Sequence, residues 1–345
     1  MKRLPDADLR HVLERTEGLW ADARERRFLL TGGTGFIGRW LAESLVFSSD
    51  SLALGLKVTI LTRDPEGFRS RAPHLADHPA VTLLRGDVRR FTFPAGEFAY
   101  VLHGAFDSSS RQPAPRDVWD TIVHGTERVL EFAGRCKAMG FLLVSSGAVY
   151  GPQPPEITHL SENFPGAPSL APEFVYGEAK RAAELLSLVA ARELGLSVKI
   201  ARGFAFVGPL LPLEAHFAIG NFIADALAKR PIRVLGDGTP CRSYLYAADL
   251  AIWLLTILFR GRPSVPYNVG SEREVTIAEL ARLVASAVHP PVAVQISMKP
   301  ASGPPHRYVP STQRAHEELG LEPWVGLSES IRRTADWYSA YGLSQ

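Results

Sequence analysis

The run Phe28-Leu29-Leu30-Thr31-Gly32-Gly33-Thr34-Gly35-Phe36-Ile37-Gly38 constrains this chain more than any other stretch. Phe28–Thr31 fits a buried strand, the glycines fit a tight turn, and Phe36–Val46 has the apolar spacing of a helix. Gly32, Gly35 and Gly38 follow the pattern G-x-x-G-x-x-G. Such a turn needs backbone angles that glycine adopts without strain, and it lets a pyrophosphate approach the main chain. The following helix aims free N–H groups and its positive dipole end at that phosphate. A bare glycine pattern is often only a turn. Between a strand and a helix, it predicts a dinucleotide held by Gly32, Thr34, Gly35, Phe36, Ile37 and Gly38.

The rest of the first half supplies the context that this turn needs. Apolar runs at Lys57–Leu61, Val81–Leu84, Tyr100–Leu102, Phe141–Ser145 and Val198–Arg202 alternate with helical patterns at Trp119–Ala133 and Tyr176–Glu193. That rhythm predicts an α/β fold, a Rossmann-type doubly wound parallel sheet with ligands at the C-terminal strand ends. After about residue 204, prolines such as Pro209, Pro212, Pro231, Pro240, Pro290 and Pro291 break up shorter elements. The expected division is a helical extension over 1–26, a dinucleotide-binding domain with the catalytic residues over 27–203, and a smaller, loop-rich C-terminal region over 204–345 that mainly binds substrate. Leu9, Val12, Leu13, Leu19 and Trp20 have helical spacing. They predict one amphipathic helix over 6–25, docked on the body or on a partner subunit without catalytic work.

Composition excludes several classes. The 345 residues are 46% hydrophobic and 21% charged, with a net charge of +2, an ordinary globular balance that implies no nucleic-acid partner. Only two cysteines occur, Cys136 and Cys241, so neither a disulfide framework nor a metal cluster is expected. No apolar run reaches the roughly 18–20 residues of a membrane span, and Ala251–Phe259 falls far short. Lys2 and Arg3 precede no apolar core, so no signal peptide is read. A cytoplasmic protein without a membrane partner is expected.

The end of the second strand bears on the choice of cofactor. A carboxylate there would hold the adenosine ribose of NAD. The chain has Thr62-Arg63-Asp64. Arg63 suits a 2′-phosphate and tilts the expectation from NAD toward NADP, although Asp64 could still serve the ribose. Asp87, in Gly86-Asp87-Val88, is placed either to accept from the adenine amino group or to cap a turn.

Tyr176 and Lys180, four apart in a helical pattern, share one face. A phenol with a pKa of about 10 is a poor base near neutrality, and an adjacent ammonium lowers that value. Lys180 can also bind the nicotinamide ribose. Alone the spacing means little. Ser145-Ser146-Gly147-Ala148-Val149-Tyr150-Gly151 adds hydroxyls at a strand's C-terminal end, where one can bond the substrate oxygen that Tyr176 protonates or deprotonates.

With these pieces in order, the chain resembles the extended short-chain dehydrogenase/reductases, in particular their NAD-dependent epimerase/dehydratase branch, from about residue 27 to 340. Thr31–Gly38, Gly86-Asp87-Val88, Ser145–Gly151, Tyr176-x-x-x-Lys180 and Gly236–Asp249 carry the resemblance. It implies Ser146, Tyr176 and Lys180 as the catalytic group and Arg242 as a contact to a nucleotide diphosphate. Asn221 looks like the family's nucleotide-binding asparagine. His103 and Ala105 resemble the turn beside the cofactor, Val88 completes the third-strand motif, and Ser108 with Asp107, Ser109 and Ser110 is placed to meet sugar hydroxyls. The implied substrate is a nucleoside-diphosphate sugar, and a homodimer is expected.

The departures narrow the reaction. Family members that eliminate water commonly carry an acidic pair just after the serine position, and uronate decarboxylases use a glutamate there; this chain has Gly147 and Ala148. Two family asparagines are replaced by Ala205 and Ile122. A second diphosphate arginine, expected near Ala301, is missing, and Lys299 or Arg307 could substitute. His216 and Glu162 are read as structural. The leading expectation is C4 epimerisation through a 4-keto sugar. An NADPH-dependent 4-keto-sugar reductase, a 4,6-dehydratase without the acidic pair, and a non-catalytic dinucleotide sensor stand as alternatives.

Overall fold

The computed structural model describes residues 3–106, 113–215, 217–299 and 303–342. Seven parallel strands form its main sheet: β1 (Arg27–Thr31), β2 (Lys57–Thr62), β3 (Val81–Arg85), β4 (Tyr100–His103), β5 (Gly140–Ser146), β6 (Val198–Gly203) and β7 (Pro266–Val269). Their order is β7-β6-β5-β4-β1-β2-β3. The chain therefore moves one way from β1 through β2 and β3, then crosses to β4 on the other side. That reversal opens a crevice above the C-terminal ends of β1 and β4, where α/β sheets bind ligands. β1, β2 and β4 to β6 are nearly continuous apolar runs where the sheet is covered on both faces, as their burial requires, while β3 at the edge is only part-buried.

Two helical layers cover the sheet. One holds α1 (Asp6–Arg15), α2 (Phe36–Ser51) and, from beyond residue 204, the apolar helix α6 (Ala247–Arg260). The other holds α3 (Gly125–Arg135) and α4 (Val175–Leu194). A third apolar cluster joins α5 (Ala218–Leu227), α7 (Ile277–Ser286) and α8 (Leu327–Tyr341) beside the sheet's ligand end. The stretch after residue 204 thus serves both parts: α6 and β7 complete the sheet layers, and the remainder packs as a separate cluster.

The single helix expected over 6–25 is corrected. α1 stops at Arg15, and Thr16 turns its hydroxyl back to the Val12 carbonyl at 2.6 Å. A tighter 3₁₀ turn over Glu17–Ala23 follows. Leu19 and Trp20 still reach the core, because that turn keeps them on the inward side.

Candidate active site

At the crevice, Gly32 has φ +73, and a Cβ there would lie 2.5 Å from the Gly104 carbonyl oxygen. A Cβ on Gly38 would overlap the Gly32 carbonyl. Those two glycines therefore let chain pass against chain. Gly35 differs: it is exposed at the start of α2, and a Cβ there would touch only Gly32 O at an ordinary 3.5 Å. Its open side gives a phosphate access to the helix N-terminus. Thr34, Phe36 and Ile37 are half-buried around it. This cradle fits the pyrophosphate of a dinucleotide.

Beside it, Thr62 ends β2 with its hydroxyl accepting from Asp64 N–H at 3.2 Å. Asp64 turns back to accept from Gly67 N–H at 3.0 Å and caps the next helix. Arg63 is exposed. Asp87 accepts from the Arg89 guanidinium at 2.8 and 2.7 Å, which, with a smaller contribution from the Arg63 charge, holds its carboxyl at about 2. Val88 is buried, with α3 close against it at Gly125. Ala105 lies beside Gly32.

His103, in the turn beside the expected cofactor site, has a structural side chain. Its Nδ1 pairs with Thr31 Oγ1 at 2.7 Å and its Nε2 with Thr126 Oγ1 at 3.0 Å. Burial, reinforced by the Lys180 charge, depresses its pKa to about 3, so the ring is neutral. Both ring nitrogens brace β1 against α3 across the turn, which leaves neither for a dinucleotide.

The two serines at the end of β5 point apart, as strand alternation demands. Ser145 spends its hydroxyl on Glu184 Oε1 at 2.5 Å, and Glu184 in turn clamps the Arg202 guanidinium at 2.7 Å. Ser146 instead accepts from Ala148 N–H at 3.1 Å and lies close enough to the Tyr176 phenol to favour its ionised form. Gly177 makes that approach possible: a Cβ there would stand 2.6 Å from the Ala148 carbonyl oxygen. Lys180, buried one turn further along α4, donates to the Val144 carbonyl at 2.8 Å, and its Nζ is 5.9 Å from the Tyr176 ring centre. Burial lowers the Lys180 pKa to about 8 against the opposing pull of Glu184. Burial also raises that of Tyr176. The structure thus brings Ser146, Tyr176 and Lys180 together. A hydroxyl, a phenol and an ammonium so placed can move a proton at a substrate oxygen.

The expected substrate residues are spread more widely. Arg242 lies on the short strand Cys241–Arg242, its guanidinium donating to the Cys241 carbonyl at 2.8 Å. Asn221 is half-buried in the first turn of α5. Arg307 is paired with Glu274 at 3.2 Å, and Lys299 is exposed. Glu162 accepts from Asn268 N–H at 2.9 Å, as a structural residue would. Ser108, with Asp107, Ser109, Ser110, His216 and Ala301, lies outside the described residues.

Two residues escaped the sequence reading. Glu184 is four beyond Lys180 on the same helix face, a spacing that was readable. Tyr308 stacks on Phe204 with ring centres 4.7 Å apart and reaches the same centre from the two-residue strand Arg307–Tyr308. No local pattern announces it.

Residues 28–270 match the model of the NAD dependent epimerase/dehydratase family. The chain belongs to that family. The family member is 30% identical over 307 residues to UDP-glucuronic acid decarboxylase 1 of Arabidopsis thaliana, covering 89% of this chain and 68% of the relative. It shares its fold with the UDP-glucose 4-epimerase of Thermotoga maritima solved with UDP-glucose, at TM-score 0.75 and 22% identity over 91% of this chain and 99% of that one. The dTDP-glucose 4,6-dehydratase of Bacillus anthracis, solved with NAD, gives TM-score 0.74 and 21% identity over 92% and 97%. The epimerase/dehydratase protein is thus an extended short-chain dehydrogenase/reductase of the nucleotide-sugar epimerase, dehydratase and decarboxylase class. Among its described residues no helix is long and apolar enough to cross a membrane.

Proposed function

We propose that this protein epimerises C4 of a nucleoside-diphosphate sugar through a 4-keto sugar. Gly32, Gly35 and Gly38 would hold a nicotinamide dinucleotide, which when bound accepts and returns a hydride. Tyr176 takes the proton of the C4 hydroxyl and later returns it. Ser146 donates to the same oxygen, and the Lys180 ammonium favours the phenolate. Arg242 supplies a guanidinium for the diphosphate.

The observation that carries this reading is Gly147-Ala148 after Ser146. The space that a side chain at 147 would take is filled by the Phe204 ring and the Tyr308 hydroxyl, each 2.7 Å from the Cβ position. The resemblance puts the acid of eliminating and decarboxylating members next to that serine. The likeness to a UDP-glucuronic acid decarboxylase supports the nucleotide-sugar class, and residue 147 argues against loss of carbon dioxide. Leu185, Val189 and Leu194 are exposed along α4 and support a homodimer through that helix. Cys136 and Cys241 are free thiols, which suits the cytoplasm.

Incubating the purified protein with NAD and, separately, UDP-glucose, UDP-galactose and UDP-glucuronic acid tests the reading by product mass and NMR. An isomer of unchanged mass is expected. Loss of carbon dioxide or of water would replace epimerisation with decarboxylation or dehydration. Consumption of NADPH in step with reduction of a 4-keto sugar would make the protein a reductase. Binding without turnover across a wider panel of nucleotide sugars would make it a sensor.

A further inference from the structure

Tyr150 belongs to the same motif as Ser146, and the chemistry above does not use it. β6 pairs with β5 and β7 so that Ser145, Arg202 and Asn268 lie side by side at the ligand end of the sheet. Arg202 clamps Glu184 and, through Nη1, donates to the Tyr150 hydroxyl at 2.9 Å. A guanidinium only donates. The Tyr150 proton therefore goes elsewhere, to Asn268 Oδ1 at 2.7 Å. That orients the amide, whose Nδ2 donates to the carbonyls of Leu160 at 2.8 Å and Ser311 at 3.0 Å. The chain of bonds has one polarity, from a cation to two main-chain carbonyls. Tyr150 and Asn268 are both buried, which strengthens each step. Burial also pushes the Tyr150 phenol up to about 12, so it keeps the proton it donates.

The far end of the chain is the segment that follows Tyr308. Leu160 N–H donates to the Val309 carbonyl at 2.9 Å, and Ser311 N–H donates to the Leu160 carbonyl at 2.7 Å. Gln153 and Glu272 hold the same segment from loops, at Val309 N–H and Thr312 N–H. Asn268 holds it from the sheet. Just before it, Arg307 and Tyr308 pair in register with Cys241 and Arg242.

We propose that Tyr150 is a positioning residue for substrate binding: its hydroxyl joins the Arg202–Glu184 pair to Asn268, and so sets the 307–312 segment in place opposite Arg242. Without that hydroxyl, Arg202 Nη1 and Asn268 Oδ1 each lose a partner. The amide then loses the bond that aims it at the two carbonyls, and the segment's tie to β7 weakens. The inference rests on Arg242 as the diphosphate contact but not on which sugar is turned over.

Two readouts on the full-length protein test this: hydrogen exchange by mass spectrometry over 307–312, and titration with UDP, dTDP and GDP beside NAD. Tyr150→Phe keeps the ring in its cluster with Val149 and Leu160. It should speed exchange over the segment by on the order of tenfold and weaken the nucleoside diphosphate about three- to tenfold, the effect of one hydrogen bond, while NAD affinity stays within about twofold. Asn268→Asp keeps the shape but sets an acceptor against the two carbonyls, so it should act the same way and at least as strongly. Adding Tyr150→Phe to Asn268→Asp should change little further, because both break one link. Unmoved exchange in both single variants overturns the proposal. So does faster exchange with unchanged diphosphate affinity, and so does equal weakening of diphosphate and NAD, which a merely structural role would give. If wild type binds none of the three diphosphates, the reading of Arg242 as their contact fails first, and this inference goes with it.

Discussion

Tyr176, Lys180 and Glu184 stand on one face of α4, and the Glu184 charge opposes the burial that lowers the Lys180 pKa. Tyr176→Phe removes one hydroxyl and keeps the ring against Phe106, 5.0 Å away. Turnover should fall by at least roughly 10²–10⁴-fold while dinucleotide affinity holds, and near-normal turnover would exclude Tyr176 as acid/base. Lys180 must be protonated to support the phenolate. Its lowered pKa means that activity should fall as pH rises through about 8. Glu184 is the charge that opposes this lowering. Glu184→Gln should therefore move the alkaline limb of kcat/KM to lower pH, and a limb that stays put would remove Lys180 as its source. Arg63 is a separate matter. Thr62 at the end of β2 is uncharged and does not itself repel a 2′-phosphate, and Arg63 is an exposed cation beside it. Titration should show both cofactors binding with a modest NADP preference that Arg63→Ala abolishes. A wild-type preference for NAD that the mutant retains would contradict this.

At the level of elements, the glycine turn is the part least tolerant of change. A methyl at Gly38 would meet the Gly32 carbonyl and Gly33 Cα, backbone that has no flexible end to move aside. Gly38→Ala should push α2 away from β1 and weaken dinucleotide binding at least tenfold in a fluorescence titration, together with a lower Tm. Binding unchanged from wild type would show that the turn relaxes. This turn and β1 to β6 were legible because each strand is a short apolar run and most are separated by a helix, so local pattern and tertiary role agree. β7 was not. Pro266–Val269 is brief, opens with proline, and acquires its meaning only by pairing with β6 across the whole C-terminal excursion. Tyr308 was hidden for the same reason, since it comes against Gly147 through folding and not through spacing. The Ser146, Tyr176 and Lys180 grouping was readable from motif order. The commitment of both His103 nitrogens to Thr31 and Thr126 was not, because nothing local to Tyr100–His103 specifies either threonine as a partner.

Across the whole molecule, the N-terminal extension ties the layers together. Leu9, Val12 and Trp20 lie in one apolar cluster with α2 and α6. Leu4 N–H donates to Glu43 Oε2 at 3.0 Å, and Trp337 Nε1 in α8 donates to the Arg3 carbonyl at 2.8 Å. Asp8 sits at the junction. Its carboxylate is buried and accepts from the Tyr246 hydroxyl at 2.6 Å, just before α6, and from Arg333 of α8 at 2.7 Å. One residue of α1 thus holds the helix behind the sheet and the helix of the C-terminal cluster, the cluster that adjoins the ligand end. A docked decoration would make no such bridge. Asp8→Ala would leave a buried phenol without its acceptor and a guanidinium without one of its carboxylates. Arg333 is 34% exposed and keeps its 2.7 Å contact with Glu329, so part of its loss is made good by water and by that partner. The expected cost is about 2–3 kcal/mol, below the full penalty for breaking a buried ion pair. Calorimetry should record it as a lower Tm of a single transition that includes both the sheet and the C-terminal cluster, because the bridge couples them. A change under about 0.5 kcal/mol, the range of ordinary surface substitutions, would return the extension to the status of an ornament.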